Sequence, residues 1–424
     1  MAIAVGSAQV AWWKEPTREQ WHAWIAAWLG WTLDAFDFTI FLLLMLPISQ
    51  TFNIPLVDVT AVLAITLWMR LVGATASGWL ADRMGRKKPL MISIAWYSVA
   101  NLLAGLAPSF GLLFLFRAVM GIGMGAEWPV GAALAMEQWP IRSRGFMSGV
   151  LQGSWGLGAL LSGAAYGLLY NYIGWRGLLI IGVLPALAIL YVRRYVKEPE
   201  VWLENRRRQR AEKREVKVPL LSIFKPAILG NTATACWWMA SNFVVAYSMS
   251  GMFATWLQKD QGLSPALVAL PVMLLSIGQF GSGIVWGGIA DRIGRRWSII
   301  LPAVLGIPIV PLYLFTDSYA MIVVFYGVQG WLAGGGIWSQ APSYLSERFP
   351  TEVRATASGF CFHQGAIWGG FASPVVTYFA LNWHLGFAIP MAIGTIGGLI
   401  SLLLALSVSP ETRGKELVAD VVLA

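Results

Sequence analysis

Gly78-Trp-Leu-Ala-Asp82-Arg83-Met-Gly85-Arg86-Lys87-Lys88 returns 209 positions later as Gly287-Gly-Ile-Ala-Asp291-Arg292-Ile-Gly294-Arg295-Arg296, each copy between two long apolar stretches. A second pair fixes the register at an offset of 210: Pro140-Ile-Arg-Ser-Arg144-Gly-Phe-Met-Ser148-Gly149 answers Pro350-Thr-Glu-Val-Arg354-Ala-Thr-Ala-Ser358-Gly359, and Glu137 answers Glu347. The chain is a tandem duplication, which in a membrane protein points to two halves facing one another.

Residues outward from these motifs require a bilayer. At 57% apolar and 12% charged, 424 residues hold more hydrophobic sequence than a soluble fold of that size buries. Stretches of about 20 apolar residues cross a hydrocarbon layer of roughly 30 Å as helices. Twelve are readable: 24-48, 59-81, 89-107, 110-136, 146-169, 175-192, 227-256, 265-289, 298-316, 319-343, 356-380 and 384-407. The expected fold is an all-α membrane protein of twelve transmembrane helices in two pseudo-symmetric six-helix bundles, 1-192 and 227-424, joined by a linker over 193-226.

The net charge of +9 is not a nucleic-acid signal, because the bases lie on one side of the membrane. All but Arg70, Arg117, Arg176 and Lys259 of the 30 Lys and Arg fall in the two tails and in the loops after spans 2, 4, 6, 8 and 10. The positive-inside rule then makes both termini and the linker cytoplasmic, in a cell inner membrane. The linker's run of Arg206-Arg207-Arg208, Arg210, Lys213 and Arg214 reads as a solvated joining helix or as a lipid-headgroup site. Met1 to Val10 lacks the basic start of a cleaved signal, so span 1 is expected in the mature chain. Cys236 and Cys361 fall inside spans and are expected as free thiols, with no structural metal. No phosphate-cradling Gly-Lys-Ser/Thr loop or Ser/His/Asp arrangement appears, so neither nucleotide hydrolysis nor enzymatic catalysis is expected.

The repeated loop signature resembles that of the major facilitator superfamily over essentially the whole chain. Arg117-x3-Gly121-x-Gly123-x-Gly125 in span 4, Pro199-Glu200 after span 6 and Pro410-Glu411-Thr412-Arg413-Gly414 after span 12 also match. The resemblance implies two bundles rocking about a central site. Trp31-Thr-Leu-Asp34-Ala-Phe-Asp37-Phe38 looks like the span 1 motif of the organic-anion/proton symporters in the sialate and lactate permease group, with the aromatic acid symporters next. Arg70 and Gly125-Ala-Glu127 resemble the sialate group as well. Gate residues follow by analogy: Gly78, Asp82, Arg83, Gly85, Arg86, Glu137 and Arg144 in one half, Asp291, Arg292, Gly294, Arg295, Glu347 and Arg354 in the other. They would latch the bundles in an outward-open state and release them in an inward-open one.

Repetition separates scaffold from site, since positions serving the scaffold recur in both halves. The intramembrane charges do not recur: Arg70 aligns with Gln279, Arg117 with Gly327, Glu127 with Ile337, and Asp34 and Asp37 with Phe243 and Ala246. An ionised side chain at mid-bilayer costs at least about 2.5 to 3.5 kcal/mol, so each needs a partner, a proton or water. Asp34 and Asp37, three residues apart, share a helix face and repel. Arg70, with its planar fork, is the expected anchor of a substrate carboxylate, with Asp34 beside it; the alternative is a fixed Arg-Asp bridge. Asp34, Asp37, Glu127 and Arg117 are the expected proton-coupling set. Glu127 lies ten residues beyond Arg117, about 15 Å along the helix and roughly 80° around it, too far to pair with it. Neutral polar residues of the second half, Asn231, Asn242, Tyr247, Gln279, Gln340, His363 and Gln364, complete the expected substrate rim. Trp237, Trp238, Trp331, Trp338 and Trp368 either stack on a ring or pack the structure.

The expected activity is import of a small organic anion such as sialate, lactate or an aromatic acid with protons as coupling ion, no other cofactor, and action as a monomer. Exporters of this superfamily often carry Gly-Pro in span 5, and Gly149-Val-Leu-Gln-Gly153-Ser-Trp-Gly156-Leu-Gly158 has no Pro. That favours import over export of a drug or metabolite.

Overall fold

In the computed structural model, residues 11-184, 186-212, 219-263 and 265-417 are described. Met1 to Val10, and Lys213 and Arg214 of the basic linker run, lie outside the described residues. No strand occurs among the described residues. Helix α1 (Arg18–Phe52) starts at a reciprocal cap between Thr17 and Gln20 and ends on Asn53 in the left-handed region. Its 35 residues span roughly 50 Å, longer than the hydrocarbon layer. Helices α2 (Leu56–Met84), α3 (Lys87–Gly105) and α4 (Phe110–Gln138) follow. Helix α5 (Arg144–Ile181) is two arms that turn back at Gly174, whose φ of 62° is open to glycine. Its second arm continues into α6 (Ala186–Tyr195), closing the first six crossings.

The linker holds α7 (Glu200–Ala211) and α8 (Pro219–Ser222). The solvated-helix reading of this segment needs correction. Trp202, Asn205 and Gln209 form a buried face, and Trp202 Nε1 donates to Asp82 O at 3.2 Å, so α7 lies against the bundle with Arg207, Arg208 and Arg210 outward.

The second half is more broken than its sequence suggests. Its crossings are α9 (Pro226–Ser250) with α10 (Phe253–Lys259), α11 (Pro265–Ile293), α12 (Arg295–Gly306) with α13 (Ile309–Leu314), α14 (Tyr319–Gln329) with α15 (Ala341–Arg348), α16 (Arg354–Asn382) and α17 (Ala388–Ser407). The stretches 227-256, 298-316 and 319-343, expected as single helices, break at Gly251, at Ile307-Pro308 and over Gly330–Trp338. Proline lacks the N–H that a helix interior needs, and Gly330, Gly334, Gly335 and Gly336 let the backbone widen into a π turn and then tighten into a 3-10 turn. Seven stretches among the described residues are long and apolar enough to cross a membrane as they stand; the other crossings are shorter, broken or more polar. Together they make twelve crossings in two bundles.

Outside and inside are inverted relative to a soluble protein. Leu168 is 71% exposed and Ile393 66%, while Asp34, Asp37 and Arg117 are wholly buried. Across the halves α2 packs on α16 and α5 on α11. These approaches need glycine: a Cβ on Gly149 would lie 2.9 Å from Gly287 Cα, and one on Gly78 would lie 2.6 Å from Thr356 Cα. The α5 and α11 helices touch from the face bearing the basic loops as far as Gly156, whereas Gly163 and Gly167 have nothing within 4 Å of where a Cβ would sit. This pair is closed at the basic face and parts beyond mid-membrane.

Gly149→Leu overpacks that seam and is expected to cost about 1–3 kcal/mol. Gly163→Leu, in open space, should stay within about 0.5 kcal/mol of wild type. Thermal unfolding of both proteins in detergent checks the contrast; equal midpoints would remove the seam as a close-packed contact.

Candidate functional site

Helix α1 carries the centre of the site on a stripe of Ala27, Trp31, Asp34 and Phe38, spaced four, three and four residues apart so that they share one face. Asp34 Oδ2 forms an ion pair with Arg70 Nη2 from α2, and both side chains are buried. Three rings surround the guanidinium, with centroids at 5.9 Å for Trp31, 5.8 Å for Phe38 and 5.8 Å for Trp155. Asp34 Oδ1 and Arg70 Nε have no partner. Arg70 is placed by α4: a Cβ on Gly125 would fall 2.5 Å from Arg70 Cα, and Gly123 faces α3 in the same way, 2.8 Å from Tyr97 N. The Gly-x-Gly-x-Gly run thus seats two neighbouring helices.

Asp37 has different partners. Asn101 of α3 donates from Nδ2 to Asp37 Oδ1 at 3.3 Å and to Leu179 O at 3.0 Å, and accepts on Oδ1 from Arg117 Nη1 at 3.2 Å. Arg117 also lies 4.2 Å above the Phe41 ring. The amide therefore bridges acid and base, and among the described residues no direct Asp37–Arg117 ion pair forms. Asp37 Oδ2 and Arg117 Nε and Nη2 are unpartnered. Two carboxylates read from sequence as a repelling pair are divided between two arginines.

Glu127 is buried with both carboxyl oxygens unpartnered. It lines a small cavity with Ala27, Trp31, Trp128, Gly131, Ala132 and Leu151. Gly30 of α1 leaves its Cβ position to the Glu127 carboxyl. Beside this cavity Trp128 stacks on Phe362 of the other half at 3.8 Å, and Phe362 touches Trp31, Phe243 and Trp338 in turn. An aromatic plug joins the halves next to the charged centre.

The neutral rim divides. Tyr247 and His363 lie within electrostatic reach of Arg70. His363 Nδ1 donates to Gly359 O at 3.1 Å, which leaves buried Nε2 as a free acceptor. Asn242 donates to Ile337 O at 3.4 Å with Oδ1 unpartnered, and Gln279 is half-buried at the α5–α11 seam. Three expected rim residues are engaged elsewhere, since a polar group inside a bundle takes whatever backbone partner is near. Asn231 donates to Arg348 O at 3.3 Å near the basic face, Gln340 Nε2 donates across the halves to Gly145 O at 3.3 Å, and Gln364 Nε2 donates to Cys236 O and Cys361 O at 2.8 and 2.9 Å. Cys236 and Cys361 are free thiols 3.6 Å apart. Trp237, Trp331 and Trp368 are exposed on the outside, Trp238 packs on Tyr344, and Trp338 packs on Phe243.

At the basic face the duplicated motifs interlock. Asp82 accepts from the N–H groups of Ala355 and Thr356 at 3.2 and 3.0 Å and from Thr356 Oγ1 at 2.7 Å, at the start of α16. Asp291 does the same for α5, accepting from Gly145 and Phe146 N–H at 2.8 Å each. Glu137 takes both arms of Arg86 at 3.1 and 2.8 Å and Arg354 of the other half at 2.7 Å. Glu347 takes Arg295 at 3.2 Å and Arg144 of the other half at 3.4 Å. Burial alone would lower the Arg86 guanidinium, but Glu137 and Asp82 hold it above its ordinary value. Arg83 and Arg292, expected among the gate residues, are exposed and stand outside these clusters: one residue beyond each Asp is about 100° around the helix. Arg83 lies over Trp79 instead, 5.2 Å from its centroid.

Glu198 was not singled out from the sequence. Its carboxylate accepts from Arg86 and Lys87 N–H at 2.6 and 3.0 Å, as Glu411 accepts from Arg295 and Arg296 N–H at 2.9 and 3.1 Å. Burial pushes the Glu198 carboxyl up, against the pull of those N–H groups. Gly85 and Gly294, at φ of 97° and 106°, allow both the turn and the close approach of these carboxylates. Asn101, Trp155 and Gly30 were missed too; an Asn inside an apolar span was the available signal for the first.

Glu137→Gln leaves Arg354 buried without its ion-pair partner and Arg86 with Asp82 alone, which costs about 3–5 kcal/mol of the closed basic face. Labelling of a cysteine placed at Ser148 by an impermeant reagent applied from the basic face should speed up in this variant, and an unchanged rate would remove Glu137 from the latch.

The Major Facilitator Superfamily family model matches residues 27–256 and 239–421. A probable 4-methylmuconolactone transporter of Cupriavidus pinatubonensis is 30% identical, over 95% of this chain and 94% of that protein. The sialic acid transporter NanX of Escherichia coli is 25% identical over 96% and 97%, and the niacin transporter NiaP of Acinetobacter baylyi 27% over 92% and 93%. Among solved structures, the proton:xylose symporter XylE superposes with a TM-score of 0.73 at 19% identity, covering 94% of this chain and 98% of that one. With the family model spanning both halves and relatives matching over nearly their full lengths, the chain belongs to the Major Facilitator Superfamily and is a multi-pass membrane transporter, not an enzyme.

Proposed function

We propose that the chain is a proton-coupled symporter that imports a small organic acid anion by alternating access. The observation that carries this reading is the buried Asp34–Arg70 pair, an anion and a cation that hold one another with an open atom on each. A substrate carboxylate offers Arg70 a planar, two-pronged contact in place of the single one that Asp34 gives it. Once displaced, Asp34 is a buried carboxylate without a cation, and a proton is what lets it stay buried. Substrate and proton thereby enter together, and the loaded centre is neutral enough for the halves to rock. Glu127 and Asp37, each with open carboxyl oxygens, are the further proton carriers in this scheme, with Arg117 beside Asp37. Tyr247, His363, Asn242 and Gln279 line the opposing half.

The concentration of bases on one face supports a cell inner membrane location with both termini in the cytoplasm. Closure of that face corresponds to an outward-facing state. The bilayer and the small anion are the partners, the monomer is the working unit, and protons are the coupling ion with no other cofactor.

Among organic acids, a specific feature favours a flat, unsaturated one over sialate or lactate. Trp31, Phe38 and Trp155 around Arg70 offer faces to a ring or conjugated chain. Relatives described as niacin, cis,cis-muconate and 4-methylmuconolactone transporters support the same choice.

Purified protein in liposomes under an inward proton gradient should take up one of labelled lactate, sialate, 4-hydroxybenzoate, nicotinate or cis,cis-muconate. Arg70→Ala should abolish that uptake. Arg70→Lys should weaken it by more than about tenfold, since a point charge replaces a fork. Uptake of none of the five acids would overturn the organic-acid assignment.

A further inference from the structure

Asn101 is held with fixed polarity between an acid and a base. Both amide hydrogens are used, one on Asp37 Oδ1 and one on Leu179 O, and the amide oxygen accepts from Arg117. The residue is wholly buried, so no bulk water substitutes for it. We propose, building on the proton-symport reading above, that Asn101 is the positioning residue of the Asp37 proton site: it keeps Arg117 from pairing directly with Asp37 and leaves Asp37 Oδ2 as the atom that gains and loses the proton.

The chemistry follows from the two oxygens. A direct, two-pronged Arg117–Asp37 pair would engage both oxygens of Asp37 and hold it permanently ionised. With the amide interposed, Arg117 acts from a distance while Asn101 occupies Oδ1 alone. A proton arriving on Oδ2 breaks no hydrogen bond, because a protonated acid still accepts on its other oxygen. The charged and titratable groups around Asp37 are Asp34 on its own helix, Tyr97 on α3 and Arg117 on α4. The Leu179 carbonyl of α5 and the backbone of Gly182, just past its end, reach the bridge, and a Cβ on Gly182 would collide with Asn101 Nδ2 and Asp37 Oδ1. Glycine at 182 thus makes room for this amide, a second feature built around it.

Two variants perturb the bridge from opposite sides. Asn101→Asp keeps the shape, removes the N–H given to Asp37 and sets a like charge beside it, and both changes favour a bound proton. Gly182→Ala, whose φ of −61° suits alanine, presses a methyl onto the same two atoms. In liposomes, gradient-driven uptake of whichever of the five acids wild type moves is measured across about pH 5 to 8, alongside exchange of that acid without a gradient; the half-maximal pH of uptake should rise by about one unit in Asn101→Asp and in the same direction in Gly182→Ala. The ratio of driven uptake to exchange should fall in both. An unmoved pH profile in either folded variant, with uptake and exchange falling together or not at all, would reduce Asn101 to a packing contact. Should Asn101→Asp fail to fold, Gly182→Ala decides by the same criterion. If wild type is coupled and the variants match it, this role alone fails; if wild type moves none of the acids, the symport reading falls and takes this role with it.

Discussion

A carboxylate set against the first N–H groups of a helix is a strong, directional contact, and here each half supplies it to the other. Asp82 caps α16 and Asp291 caps α5. Those N–H groups have no partner within their own helix, and the helix dipole adds to the attraction for an anion. The rest of the basic face is arranged around this exchange. Arg86 and Arg295 hold the two aspartates in place, Glu137 and Glu347 hold the arginines, and Glu198 and Glu411 fix the turns from which the arginines project.

The bonds of this transporter fall into two kinds that differ in what breaks them. Arg354–Glu137, Arg144–Glu347 and the two aspartate caps run between halves, so a rocking movement pulls them apart. Asp34–Arg70 and Asp37–Asn101–Arg117 lie within one half and travel with it. On the proposed reading a competing ligand or a proton separates the latter, which divides the mechanical step from the chemical one.

Much of this was legible in the residues. The repeat fixed the two-bundle architecture because apolar length and the positions of Lys and Arg are dictated by the bilayer. Buried charges were legible because a charge in hydrocarbon is costly and therefore purposeful. Their pairings were not: sequence spacing put Asp34 and Asp37 on a common face, while the partners that divide them come from α2, α3 and α4 at long range. The rim was overread for the same reason. Asn231, Gln340 and Gln364 are polar residues in spans, yet a backbone carbonyl nearby satisfied each of them. The breaks in the second half depended on glycine and proline whose local effect is clear in hindsight, but apolar length alone masked them. Glu198 escaped because its value lies in two backbone N–H groups that no motif displays.

The reciprocal caps also constrain descent. After the ancestral gene doubled, any change at Asp82 would have been felt at the start of α16, and any change at Asp291 at the start of α5, so neither copy was free to drift at its gate without an answering change in the other. The charged centre lay under no such bond, since its contacts close within the first copy. Duplicate genes usually diverge wherever selection relaxes; in this chain the geometry of two capped helices marks where that freedom ends, and the two copies share the latch while only the first carries the intramembrane charges.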